Sequence, residues 1–306
     1  MSAPRLPSDL QVFERGWLSA NNILFTGGPQ TVMIDSGYCT HAPQTLSLLE
    51  NALGERSLDL LLNTHLHSDH CGGNAALQSR YPSMQTWIPP GHANEVAQWD
   101  PAALTYVPTG QLCPRFKFDR TLQAGSAIRL GTHDWKVHSA AGHDQHSYIF
   151  HEPENSILIS ADALWENGFG VVFPELEGKD AFGEVARTLD MIEALNPKTV
   201  IPGHGRVFAY SPDILVRARQ KLEYFVKNPR QHARHAVKVL LKFKLLELQR
   251  QSLEDFVQWA EKIPYILQVR ESFFSEIAVR PWIEILCTEL VTAGVAKIEA
   301  DDILNA

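Results

Sequence analysis

The stretch Thr64-His65-Leu66-His67-Ser68-Asp69-His70-Cys71-Gly72-Gly73 puts three imidazoles and a carboxylate into a short span. That mixture of nitrogen and oxygen donors suits zinc or a similar divalent ion. Packing explains it poorly, because a loop has no reason to gather four polar groups unless something binds them. Gly72-Gly73 predicts a tight backbone turn into a following helix. One cluster does not fill a metal site, and further donors stand just past other strand-like runs. They are His143 in Ala141-Gly142-His143-Asp144-Gln145-His146, Asp162 in Ser160-Ala161-Asp162-Ala163, and His204 in Pro202-Gly203-His204-Gly205. Each is weak alone. Their order and context, taken with the first cluster, make them one set.

Donors of this kind need rigid strands that end along one edge. Leu10–Glu14, Asn22–Thr26 and Thr31–Asp35 read as consecutive strands, with Gly27-Gly28-Pro29 as a turn. Leu58–Asn63 is a short apolar run that fits a strand buried on both faces. Further strands are expected at 126–130, 135–140, 147–151 and 156–160, and another over Thr199-Val200-Ile201. Thr45–Leu53 reads as a helix ending at Gly54, and Phe182, Val185, Leu189, Ile192 and Leu195 recur at helical spacing. From Ser211 the texture turns helical, Asn228-Pro229 divides a long run in two, and residues 253–262 and 281–293 extend it. Val295–Glu299 predicts one closing strand. The division into domains is therefore placed at 1–209 and 210–306.

Composition agrees with a folded chain: 306 residues, 44% hydrophobic and 20% charged. No run approaches the ~18 apolar residues of a membrane span, and the first residues lack an apolar leader. Cys39, Cys71, Cys113 and Cys287 form no CxxC pair, which fits a reducing, cytoplasmic setting. The net charge of −8 disfavours wholesale coating of nucleic acid. Between Arg217 and Arg250, however, the only acids are Glu223 and Glu247, and Arg230, Arg234, Lys238 and Lys242 recur every four residues. Stems packed on the core with heads in solvent explain that stripe more simply than a nucleic-acid surface.

The ordered set HxHxDH, Gly-His, a post-strand Asp and PGHG resembles the metallo-β-lactamase superfamily across roughly residues 10–208. The resemblance implies an α+β fold, a four-layer αβ/βα sandwich, here followed by a smaller, mainly helical domain. It implies that His65, His67 and His143 hold one metal ion, that Asp69, His70 and His204 hold a second, and that Asp162 bridges them. Asp35 matches the superfamily's first motif, a carboxylate behind the ligands. His146 stands three residues after His143, where many relatives space the two histidines four apart. It is therefore expected to support the site or face substrate. Zinc is the expected metal, with manganese or iron as alternatives.

Two such ions lower the pKa of a shared water to near 7 and polarise a substrate oxygen, and Asp69 is expected to orient that nucleophile as the catalytic residue. Hydrolysis follows, since no GxGxxG cofactor motif is visible. His67 disfavours the diiron flavoprotein branch, and the short interval from Asp162 to His204 disfavours the β-CASP nucleases. The expected substrate is a small ester, thioester or lactone, with chemistry like that of glyoxalase II or lactonases. PGHG departs from glyoxalase II's usual last motif. The alternative is an endoribonuclease whose C-terminal domain, similar to a winged helix through Trp282–Leu286 and Ala293–Ile298, grips RNA. Trp165, Phe169 and Phe173 could wall an apolar pocket, and residues 89–120 could form a lid.

Overall fold

A computed structural model describes residues 6–306. Twelve of its strands form two six-stranded sheets, each running in sequence order. The first holds β1 (Leu10–Phe13), β2 (Asn22–Phe25), β3 (Val32–Ile34), β4 (Leu60–Leu62), β5 (Gln85–Ile88) and β6 (Arg120–Thr121). The second holds β7 (Ala127–Leu130), β8 (His133–Ser139), β9 (Tyr148–Glu152), β10 (Ile157–Ala161), β11 (Thr199–Pro202) and β12 (Phe208–Ala209). Parallel pairing occurs where the connection is long enough to cross over, from β3 to β6 and between β10 and β11. The crossovers include helices Ala42–Leu53 and Ala181–Leu195.

The period of two along each strand sorts residues into layers. Ile23, Phe25, Val32, Ile34, Leu60 and Leu62 face Trp135, Val137, Phe150, Ile157, Ile159 and Ile201 across the core between the sheets. Their neighbours Leu24, Met33 and Leu61 point the other way, onto Leu49, Leu53, Leu77 and Tyr81 of the covering helices. β4 is thus buried on both faces, as its apolar run requires. Helix Ala181–Leu195 buries Phe182, Val185, Leu189 and Ile192, with Asn196 in a left-handed cap before Pro197. Thr188 Oγ1 of this helix donates to the Ala141 carbonyl, which ties it to the exit of β8.

The chain divides into two compact units, one running to Leu104 and resuming over Leu112–Glu223, the other made of Thr105–Gln111 and Tyr224–Ala306. The expected division at 209/210 thus moves to 223/224. The reason lies in helix Pro212–Lys227, where Arg219 pairs with Asp190 and Glu193 of the preceding helix and Lys221 Nζ donates to the Phe169 carbonyl. Residues 89–120 do not form one lid. Thr105–Gln111 belongs to the second unit, while Phe116 is buried and Gln78 and Asp119 bind the neighbouring backbone of the first.

The second unit carries helices Pro229–Leu248, Leu253–Ala260, Pro264–Phe273 and Val279–Thr292 around Phe256, Ile266, Trp282 and Leu286. It also holds a three-stranded sheet of β13 (Arg250–Ser252), β14 (Ala296–Glu299) and β15 (Asp302–Asn305), in the order β13-β15-β14. In chain order this unit runs helix, strand, three helices and then a hairpin. The sequence pattern disclosed β14 alone, and helix Pro264–Phe273 was not expected. No helix among the described residues is long and apolar enough to cross a membrane.

Candidate metal centre

Every expected donor lies just past the end of a strand. Asp35 follows β3; His65, His67, Asp69 and His70 follow β4; His143 follows β8; Asp162 follows β10; and His204 follows β11. The four-residue helical turn Ser68–Cys71 carries Asp69 and His70. Gly72 and Gly73 have ordinary negative φ values, so the expected tight turn is not their role. They allow close approach instead. A Cβ on Gly72 would lie 2.7 Å from the Cys39 nitrogen, and one on Gly73 would lie 2.5 Å from the Ser36 oxygen.

Two triads and a shared carboxylate result. His67 Nδ1 lies 3.2 Å from His65 Nε2 and 2.9 Å from His143 Nε2, so three ring nitrogens converge. His204 Nε2 lies 3.0 Å from Asp69 Oδ2, and these two group with His70. Asp162 reaches both sets, with Oδ2 3.4 Å from His143 Nε2 and Oδ1 3.5 Å from His70 Nε2. Behind them, Asp35 accepts from Thr64 N–H and Thr64 Oγ1 and lies 2.8 Å from His70 Nδ1.

The electrostatics fit cations here. Burial, then the neighbouring imidazoles, hold His65 well below the ordinary histidine value and bring His67 down to about 4, leaving both neutral and able to coordinate. Burial alone would also lower His70, but Asp35, Asp162 and Asp69 outweigh it and raise that imidazole well above its usual range. Burial would push Asp162 up, yet His204, His70 and His143 hold it well below the ordinary carboxylate value. His70 Nε2 is buried with no hydrogen-bond partner. An uncompensated atom of this kind, facing a carboxylate and convergent imidazoles, is what a divalent ion would satisfy.

The backbone makes room for this cluster. A Cβ on Gly203 would lie 2.1 Å from Asp162 Oδ1, and one on Gly170 would lie 2.5 Å from His143 Nδ1. Asn21 pins the β1–β2 loop to the site through its N–H to Gly203 O and its Nδ2 to Pro202 O and Gly205 O. That loop presents Trp17, 56% exposed, with its ring parallel to His204 at 5.5 Å and edge-on to Trp165 at 5.3 Å.

Several sequence readings take definite form. Trp165 Nε1 donates to Asp162 Oδ1, Phe169 is buried, and Phe173 lies about the rings of His67 and His143. His146 does not meet the donors. Its ring packs edge-on to His92 at 4.5 Å. Cys71 is fully buried, and its sulfur lies 3.9 Å from that of Cys113, with none of the four cysteines in a disulfide. Trp17 was not foreseen, because nothing in its local sequence marks it, and neither was Asp144, a buried carboxylate 3.8 Å from His67 Nε2.

The sequence profile of a family described as the Metallo-beta-lactamase superfamily matches residues 15–204. The chain is 26% identical over 208 residues to the acyl-coenzyme A thioesterase MBLAC2 of Homo sapiens, covering 62% of this chain and 74% of that one. It is 32% identical over 124 residues to the hydroxyacylglutathione hydrolase of Haemophilus ducreyi, covering 40% of this chain and 42% of that one. A crystal structure of a beta-lactamase domain protein from Burkholderia ambifaria superposes with a TM-score of 0.60 at 17% identity, covering 99% of this chain and 95% of that one. That last likeness speaks for the fold alone.

Proposed function

The chain belongs to the metallo-beta-lactamase superfamily, and from that membership we propose that it is a two-metal hydrolase of thioesters. The observation that carries the two-ion reading is Asp162, whose carboxylate lies 3.4 Å from His143 of one triad and 3.5 and 3.9 Å from His70 and His204 of the other. His65, His67 and His143 would hold one ion, Asp69, His70 and His204 the other, and Asp162 both. When bound, such ions supply Lewis acidity and a water whose pKa falls to about 7.

The chain's own groups do the rest. Asp69 Oδ2 and His204 Nε2 converge at 3.0 Å as donors to the second ion, and the other oxygen of Asp69 would then orient the attacking water and take its proton. Asp35 holds His70 from behind and fixes its ring. Trp17 and Phe173 flank the donors and offer apolar walls for an acyl group. The thioester class is supported by the names of two relatives, a thioesterase and an acylglutathione hydrolase. Esters and lactones present the same carbonyl to the same donors.

The test is turnover of acyl-coenzyme A and acylglutathione thioesters by zinc-loaded protein, beside esters and lactones, with His204→Ala and His67→Ala as controls. Thioester turnover that falls at least about a thousandfold in both variants is expected. Turnover equal in parent and variants would overturn the reading.

A further inference from the structure

We propose that Asp144 is a positioning residue for the first donor triad, acting on His67 Nε2 as Asp35 acts on His70 Nδ1. The proposal rests on the two-ion reading above and adds a residue to which neither the motif nor the comparisons give a role.

The geometry of His67 assigns its two nitrogens different partners. Nδ1 faces the other imidazoles of the triad, at 2.9 Å from His143 Nε2 and 3.2 Å from His65 Nε2. Nε2 is directed away, toward Asp144 Oδ2 at 3.8 Å. A histidine that coordinates through one nitrogen keeps its proton on the other, and that N–H is ordinarily held by a carboxylate or carbonyl behind it. His143 has such a partner in the Val171 carbonyl, which faces its Nδ1. For His67 the carboxylate within reach is Asp144, at an ion-pair distance rather than hydrogen-bond length.

Asp144 is built to be a fixed acceptor. Its side chain is nearly buried, at 12% exposure. Oδ1 accepts the His146 backbone N–H at 2.7 Å, so the carboxylate is locked to its own turn with Oδ2 left facing His67. The Asp144 carbonyl accepts from Gly142 N–H and Ser147 N–H, which closes the same turn that presents His143. A ligand and the carboxylate that orients its neighbour are thereby held in one rigid loop.

His146 gains a place from this arrangement. Its backbone N–H anchors Asp144 while its ring leans on His92, and the Gly91 backbone leaves no room between them: a Cβ there would lie 2.0 Å from His146 Nδ1. The support behind the first triad therefore runs from the Pro90–His92 turn through His146 to Asp144 and His67.

The experiment is a competition titration of zinc against a chromophoric chelator, for the parent chain, Asp144→Asn, Asp35→Asn, His204→Ala and the Asp144→Asn/His204→Ala pair. Cobalt absorption spectra of each serve as a second readout, and thermal unfolding checks the fold. The parent is expected to take up two ions. Asp144→Asn should weaken one of them by about 10- to 100-fold and shift the cobalt spectrum. Asp35→Asn should weaken the other. His204→Ala should retain one ion, and adding Asp144→Asn should weaken that remaining ion by the same factor. Two ions bound by Asp144→Asn with parental affinity and spectrum would overturn the proposal even if the melting temperature fell. A parent chain that binds no ion would overturn the two-ion reading and this proposal with it.

Discussion

Asp35 Oδ2 lies 2.8 Å from His70 Nδ1, and both side chains are almost wholly buried. The same carboxylate accepts two hydrogen bonds from Thr64 at the exit of β4, so one group fixes both the start of the donor loop and a ring at its end. Asp35 itself sits at φ 56°, a conformation that aspartate tolerates better than most residues. Asp35→Asn is expected to keep the fold and to lower turnover about 10- to 100-fold at limiting zinc, with partial recovery at high zinc. Recovery is the discriminating result. A loss of turnover that no zinc concentration restores would place Asp35 in the chemistry rather than behind the ligand.

Gly203 supplies a second prediction. A methyl group there would meet Asp162 Oδ1 at 2.1 Å and His70 Cε1 at 3.0 Å, so the shared carboxylate must move. Gly205, two residues on, has φ +84° and open space around it, so alanine there meets only backbone strain of about 1 kcal/mol. Gly203→Ala should abolish binding of at least one ion while Gly205→Ala binds two. Metal content after gel filtration reads this directly, and equal content in the two variants would count against the tight fit around Asp162.

The donors were legible because each lies a few residues past an apolar run whose strand character needs no tertiary information. Ile34-Asp35 and Ile157–Ala161 before Asp162 are examples: burial fixes the strand, and the strand fixes where its end points. Trp17 and Asp144 were hidden for the opposite reason. Trp17 meets His204 across 187 positions of sequence, with the loop that carries it held by the hydrogen bonds of Asn21 to Pro202, Gly203 and Gly205 and of Ala20 N–H to the Asp69 carbonyl. Nothing in its own sequence marks Asp144, because its partner His67 follows a strand of the other sheet. In the second unit β13 and β15 were missed because Arg250-Gln251-Ser252 and Asp302–Asn305 carry little apolar alternation, and only their pairing makes them strands.

Lys221 gives a pH-dependent prediction. Its ammonium donates to the Phe169 carbonyl and lies over the Phe169 ring, and burial lowers its pKa to about 8 from an ordinary 10.5. Between pH 8 and 10.5 the unfolded chain therefore binds a proton that the folded chain does not, so this group's contribution to stability rises with pH across that window. Below pH 8 the folded protein bears the cost of a largely buried charge, of roughly 3 kcal/mol. Lys221→Met removes both the cost and the hydrogen bond. Urea unfolding at pH 7 and pH 10 should show the variant gaining on the parent at pH 7 and falling back at pH 10. A difference that does not change with pH would contradict the buried-charge account.

Trp17 tests the acyl wall. Its exposed face continues the parallel stack on His204, so an acyl chain leaving the donors would lie against the indole. Trp17→Ala should raise KM for long-chain thioesters about tenfold and leave kcat nearly unchanged, with little effect on acetyl substrates. An equal effect on acetyl and long-chain substrates would show that the indole supports His204 rather than the substrate.

The basic helix Pro229–Leu248 settles into partners within its own unit. Arg230 pairs with Glu276, Arg234 and Lys238 share Glu289, Lys244 meets Glu247, and Lys242 Nζ donates to Val295 O and Asn305 Oδ1. Tight RNA binding needs cations free to replace counterions, and each of these would have to give up an existing partner first. Filter binding of single-stranded RNA between 50 and 200 mM salt should therefore give weak retention with a shallow salt slope, unchanged by Arg234→Ala. The pair itself is half-exposed, so its loss should cost only about 0.2–1 kcal/mol of stability. Retention that is tight at low salt, falls steeply with added salt and weakens in Arg234→Ala would return the nuclease reading to the front, because it would mean that the ion pairs open to admit phosphate.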